Sequence, residues 1–170
     1  MTRKAETETR LFADDGRTPN NATLPLVVMR HTAAASSEDP AAWFERTFTS
    51  HGWSATWRWT VYPYQHFHST NHEVLGVFRG DARLMLGGEN GAVFDVGVGD
   101  VIVIPAGVGH MRVEASDDFQ VVGAYPEGKE PDLILPGYDL FAARRRIAEV
   151  PLPGQDPVSG TDGPLMDFWK

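Results

Sequence analysis

Between residues 53 and 125 the apolar positions come in short runs, broken at intervals by glycine, proline, aspartate and asparagine. Runs near 54–65, 72–79, 83–87, 92–96, 101–104, 110–115 and 119–125 are rich in β-branched and aromatic residues and predict strands. The breaks RGDA, GGENGA, GVGD, PAGVG and ASDD predict turns. An earlier run, TLPLVVM at 23–29, predicts one more strand, and Pro25 puts it at an edge or delays its regular pairing. Many short strands with glycine and proline punctuation predict an all-β sandwich or closed barrel.

Helical spacing is confined to two stretches. In 40–51, Asp39 offers an N-cap, Pro40 suits the first turn and Gly52 offers a left-handed stop. Trp43, Phe44, Thr47 and Phe48 fall on one stripe, so this helix is expected to cover a side or mouth of the barrel. The second stretch is 138–149, with Asp139 as candidate N-cap. The expected organisation is an N-terminal arm and turn-rich lead-in at 1–22, one domain at 23–150, and a tail at 151–170. The tail carries four prolines, yet Leu165, Met166, Phe168 and Trp169 make its end apolar enough to pack on the barrel or on a partner subunit.

Composition narrows the function classes. A chain of 170 residues suits one domain with a sizeable core. A formal net charge of −8 argues against a nucleic-acid partner. No stretch approaches the ~18 apolar residues of a membrane span. The opening MTRKAETETR lacks the apolar centre of an export signal, which makes the cytoplasm the expected compartment. Without cysteine there is neither a disulfide framework nor a thiolate metal site. Trp57 and Trp59 have the opposite parity to Tyr62 and Tyr64, which places the tryptophans on the outer face of their strand. That surface and the apolar tail together predict a homodimer.

The candidate chemistry lies in the histidines. His66 and His68 are two apart on an extended segment and face the same way, with Cα atoms about 7 Å apart. Two imidazoles so placed can converge on one ion. Glu73, after four intervening residues, offers a hard oxygen. Neighbouring His72 faces the other way in any strand, so only one of the two points at the ion, and the loop 69–71 breaks the count that would choose between them. A second segment, GDVIVIPAGVGHMRVE, brings a strand into a tight turn at 105–109, and His110 opens the returning strand. Three imidazoles and a carboxylate suit Fe, Mn, Ni, Cu or Zn, one divalent ion in all, and do not choose among them. Tyr62 and Tyr64 share parity with His66 and are candidates to line the interior. Arg112 shares parity with His110 and is a candidate to bind a substrate carboxylate.

These segments resemble the cupin superfamily. Its first motif runs His-x-His, four residues, Glu, six residues, Gly, and His66, His68, Glu73 and Gly80 match it. Its second runs Gly, five residues, Pro-x-Gly, two residues, His, matched by Gly99, Pro105, Gly107 and His110. Thr60 and Glu114 depart from the pattern, at positions that do not ligate metal in cupins. The resemblance implies a jelly-roll β-barrel with a few peripheral helices, with His66, His68, Glu73 and His110 as metal ligands and His72 beside them. A narrower resemblance, to the bacterial YjlB-type cupins, rests on FADDGRTPNNATLPLVV, HSTNHEVLGV, DDFQVVGAYPEG and VPLPGQDPVSGTDGPL.

An ion with open positions in an apolar barrel can bind a small chelating molecule and O2, or polarise a carbonyl. The resemblance therefore implies a metal-dependent oxidoreductase, dioxygenase-like, or an isomerase, acting on a small organic molecule. A small-metabolite binding or sensing module and a non-catalytic structural metal site are the alternatives. No residue is marked as catalytic by the sequence.

Overall fold

The computed structural model describes residues 6–170. Its strands are β1 (Glu6–Arg10), β2 (Leu26–Arg30), β3 (Trp53–Trp59), β4 (Glu73–Arg79), β5 (Asp81–Leu86), β6 (Ala92–Gly97), β7 (Val101–Ile104), β8 (His110–Ala115) and β9 (Gln120–Pro126). They form a six-stranded sheet in the order β1-β2-β7-β4-β9-β3 and a three-stranded sheet in the order β6-β5-β8. Every pairing is antiparallel. The helices are α1 (Pro40–Ser50), α2 (Leu140–Glu149) and the short α3 (Leu165–Phe168). This is the cupin jelly roll, mostly strand with few helices.

Two apolar clusters flank the larger sheet. The inner one joins Leu75, Val77, Ile102 and Val121 to Leu84 and Leu86 of the smaller sheet. The outer one packs Val74, Val101, Val103 and Val122 against Phe44 and Phe48 of α1 and against Leu165 and Trp169 of the tail. A sheet covered on both sides needs apolar residues at every position, so β7 is buried along its whole length. Helix α1 forms where its caps predict: the Asp39 carboxylate accepts from the Ala42 N–H at 3.1 Å, and Gly52 has φ +80. Asp139 stands before α2 as expected but makes no cap with its side chain, which pairs with Arg146 instead.

Three expectations change. Residues 6–10 are strand β1, an edge strand paired with β2, and not a loose arm; residues 1–5 lie outside the described residues. The strand expected over 54–65 ends at Trp59. Within it the register with β9 shifts between Ser54 and Trp57, where Ala55 takes φ +57. A bulge of this kind reverses side-chain parity. The count that set Trp57 outward runs through residues 60–65, which are not strand, and fails there: Trp57 packs on the inner cluster, and its indole Nε1 donates to the Tyr125 hydroxyl at 2.8 Å. Trp59 is half exposed at the mouth of the cavity described below.

The tail folds onto its own barrel. The buried Asp156 carboxylate accepts backbone N–H groups from Val158, Ser159 and Leu165, and Trp169 Nε1 donates to the Pro25 carbonyl at 2.8 Å. Leu165 and Trp169 are buried, so neither they nor Trp57 supply the free surface on which the homodimer expectation rested. The Trp169 ring lies 4.7 Å from that of His72. His72 accepts from the Ala106 N–H through Nδ1 and donates from Nε2 to the Pro151 carbonyl, so both of its nitrogens are engaged. No helix among the described residues is long and apolar enough to cross a membrane.

Two outcomes follow for stability. Trp169→Ala should cost about 3–5 kcal/mol, read as a lower urea midpoint, because it opens a cavity and strands the Pro25 carbonyl. Burial also pushes His72 down to about 4, against a partial offset from the Pro151 carbonyl. The unfolded chain then takes up a proton near pH 6.5 that the folded protein refuses until about pH 4. This contribution is complete above 6.5 and lost as pH falls toward 4, up to about 3 kcal/mol in all. Urea midpoints between pH 7.5 and 4 should fall less steeply for His72→Gln than for the parent; equal slopes would exclude His72 as the source.

Candidate metal centre

His66 and His68 sit on the irregular segment between β3 and β4, held in place by the start of β8. The His110 N–H donates to the His66 carbonyl at 3.0 Å, the His66 N–H donates back at 3.3 Å, and the Arg112 N–H donates to the Tyr62 carbonyl at 2.9 Å. The turn before His110 is pinned as well. Gly107 N–H donates to the His68 carbonyl at 2.7 Å, Asn20 Oδ1 accepts from the Gly109 N–H, and Asn21 Nδ2 donates to the Ala106 carbonyl. Gly107 has φ +92, and a Cβ there would collide with the Asn20 carbonyl, so only glycine suits this turn. Glu73 opens β4 on the inward parity of Leu75 and Val77, whereas Val74 belongs to the outer cluster.

The four side chains meet. His66, His68 and His110 each offer a ligand atom, all within 4.8 Å of one another. Glu73 Oε1 lies 3.5 Å from His68 Nε2 and 3.3 Å from His110 Nε2. In each of the three histidines Nδ1 faces a backbone carbonyl: Tyr64 for His66, Asp132 for His68 and Val108 for His110. A carbonyl can only accept, so Nδ1 carries the proton and the lone pair of the neutral ring sits on Nε2. His72 is held in the opposite tautomer with both nitrogens consumed. It stands behind the strand, under the tail, and does not join the group.

Electrostatics sharpens the picture. Burial would raise the Glu73 carboxyl, but His68 and His110 more than reverse this and hold it ionised well below the usual range. Burial lowers His68, and the charge and hydrogen bond of Glu73 outweigh it, so His68 ends above its ordinary value. Burial, together with the neighbouring imidazole of His110, holds His66 far below its own and keeps it neutral. Without an ion, the centre thus holds an anion on Glu73, and His68 takes up a proton more readily than a free imidazole. His110 Nε2 is buried and, although close to Glu73, is not aligned to hydrogen-bond it. Lone pairs turned to one point, a buried carboxylate and an orphaned nitrogen fit a divalent transition ion, which could take the place of the proton.

The group lies in the wall of an open cavity of about 370 Å3. Tyr62 lines it, stacked 4.9 Å from Tyr64 and edge-on to His66 at 5.4 Å. Tyr64 is largely exposed and contributes no lining. Neither does Arg112: it is half-buried, and its Nη1 donates to Thr60 Oγ1 at 3.3 Å.

Sequence reasoning missed four contributors, Tyr125, Asp132, Arg146 and Glu130. Tyr125 accepts the Trp57 indole N–H, which leaves its own proton free to face Glu73. Burial and the Glu73 charge hold that hydroxyl protonated, well above its usual range. The Trp57 ring lies against Gly123, where any Cβ would collide with it. Asp132 steadies His68 through its carbonyl and clamps the next two residues with its carboxylate, which accepts from Ser69 N–H at 2.7 Å and Ser69 Oγ at 2.5 Å. Arg146 of α2 donates to the same Ser69 hydroxyl at 2.8 Å. Glu130 lines the cavity from the loop after β9. Only the parity of β9 could have signalled Tyr125, and that parity is unreadable in a strand buried on both faces; Glu130 and Asp132 lie in a loop with no period at all.

No protein-family model matches the sequence. Among solved structures, a variant of Bacillus subtilis oxalate decarboxylase is similar with a TM-score of 0.40 and 19% identity, over 68% of this chain and 29% of that one. A Klebsiella pneumoniae protein with a double-stranded β-helix domain is similar with a TM-score of 0.36 and 16% identity, over 79% of this chain and 81% of its own. This chain spans less than a third of the decarboxylase. Both TM-scores lie below 0.5, so neither likeness decides the fold, which rests on the strand order and motifs above. The protein YjlB of Bacillus subtilis (strain 168), itself uncharacterised, is 43% identical over 165 residues. That identity runs through 96% of this chain and 97% of YjlB, across a barrel that carries both histidine motifs, and so the chain belongs to the YjlB-type cupins.

Proposed function

We propose that the protein is a metal-dependent oxidoreductase, dioxygenase-like, that acts on a small organic molecule in the cavity, with His66, His68, Glu73 and His110 holding one divalent ion. One observation carries this reading: the four donors line an open cavity. A structural metal site closes its coordination, whereas a catalytic one keeps positions for substrate. A bound Fe, Mn, Ni, Cu or Zn ion would supply Lewis-acid polarisation, and the redox-active ones electron transfer. The chain's own residues do the rest. Backbone carbonyls fix the three imidazoles, Trp57 aims the Tyr125 hydroxyl, and that hydroxyl keeps a proton beside the reacting space. Isomerase chemistry would use the same polarisation. A metabolite-sensing module would use the same cavity without turnover. A homodimer, expected from the sequence, would still have exposed Trp59 and Phe168 to bury, together with exposed Tyr138 and Phe141. Action in the cytoplasm belongs to the same reading.

The test is metal analysis of protein purified without chelator or nickel resin, then anaerobic loading with each ion and O2 uptake over a panel of small organic molecules. Metal-dependent O2 consumption supports the reading; ligand binding without turnover for all five ions would favour sensing. His68→Ala should lose most of the bound metal, whereas His72→Ala should keep most of it despite lower stability. Equal loss would show that His72 contributes directly. Occupancy should also fall as pH drops below about 6.5, since protons compete with metal first at His68, whose affinity for them is raised in the free site. Full occupancy after long dialysis at about pH 5 would point to another ligand set.

A further inference from the structure

We propose that the cavity selects a small organic cation, an alkylammonium or similar onium group, on a molecule whose other end offers oxygen to the metal centre. This names the substrate class of the site and rests on the reading above. The first support is charge. Among the described residues, Glu73 and Glu130 are the carboxylates of the lining, and no lysine or arginine lines the cavity. The basic residues beside the lining in sequence are spoken for: Arg58 pairs with Glu45 and Lys129 with Glu127 at 2.8 Å, while Arg112 donates to Thr60. Glu73 is balanced by His68 and His110, and would be balanced better by an ion. Glu130 has no hydrogen-bond or ion-pair partner among the described residues.

The second support is the wall itself. Trp57, Trp59 and Tyr62 line the same cavity, with Trp59 and Tyr62 edge to face at 5.0 Å. Indole and phenol faces attract cations, and more strongly when a carboxylate shares the site. Away from the metal centre an anion would be repelled by Glu130, with no lysine or arginine among the described lining residues to offset it, and a neutral group would gain nothing from it. The volume, about 370 Å3, is near the small end for ligand sites and admits a metabolite-sized molecule.

The test compares three probes of one shape: choline, its neutral carbon isostere 3,3-dimethylbutan-1-ol, and 3,3-dimethylbutanoate. Binding is read by tryptophan fluorescence and calorimetry on zinc-loaded protein and on metal-free His68→Ala. Choline should bind about tenfold tighter than the alcohol, and the carboxylate should not bind His68→Ala at all. Glu130→Gln, at an exposed position that leaves the fold intact, should erase most of the preference, and Trp59→Leu should reduce it. Equal or tighter binding of the alcohol, or no choline binding at millimolar concentration, overturns the proposal. The two readings fail separately. A cation preference that persists in His68→Ala, with no metal-dependent turnover of any compound, leaves the cation class standing and sinks the enzyme. Metal-dependent turnover without cation preference does the reverse.

Discussion

A carboxylate taken out of water needs a compensating positive charge, and Glu73, at 4% exposure, has imidazoles to provide it among the described residues. Much of the barrel's detail answers this demand. The segment carrying His66 and His68 is stitched to β8, the turn at 105–109 is pinned by Asn20 and Asn21, and β4 occupies the middle of the larger sheet. Each of these brings an imidazole or the carboxylate itself to the same point. The raised proton affinity of His68 answers that electrostatic need, and a divalent ion would answer it too.

The motif residues were legible because their chemistry is local: two histidines at strand spacing, a carboxylate soon after, and a histidine just past a glycine-proline turn. The choice between His72 and Glu73 was not legible from spacing. In β4 the outward positions pack on α1 and the tail while the inward ones fill the barrel, so Val74, Leu75 and Val77 are all apolar and give no hint of parity. The cupin resemblance chose Glu73, and the structure turns Glu73 inward and ties both nitrogens of His72 to the backbone. The placement of Trp57 failed for a different reason. Parity counted back from His66 passes through residues 60–65, which leave the extended strand path, and that departure is not written in residue type. Strand β1 was missed because an exposed edge strand of alternating Glu and Thr looks like a solvated arm.

The cavity wall adds a second layer of logic to the same constraint. Trp57, set against Gly123, and Tyr125 form a hydrogen-bonded pair that reaches from the edge of the larger sheet to Glu73. Asp132 and Arg146 tie the loop beyond β9 to the residues that follow His68, so that helix α2, remote in sequence, braces the first motif. These groups lie in segments with no motif, and long-range packing alone brings them to the site.

The acceptors that fix the tautomers of His66, His68 and His110 are main-chain carbonyls, of Tyr64, Asp132 and Val108. A carbonyl persists through any substitution that keeps the backbone path, so the orientation of the imidazoles is insulated from changes in neighbouring side chains. The wall formed by Trp59, Tyr62 and Glu130 has no such duty. Heritable variation can therefore reshape the wall of the cavity while the donor geometry is passed on unaltered, so the two parts of the site can diverge separately.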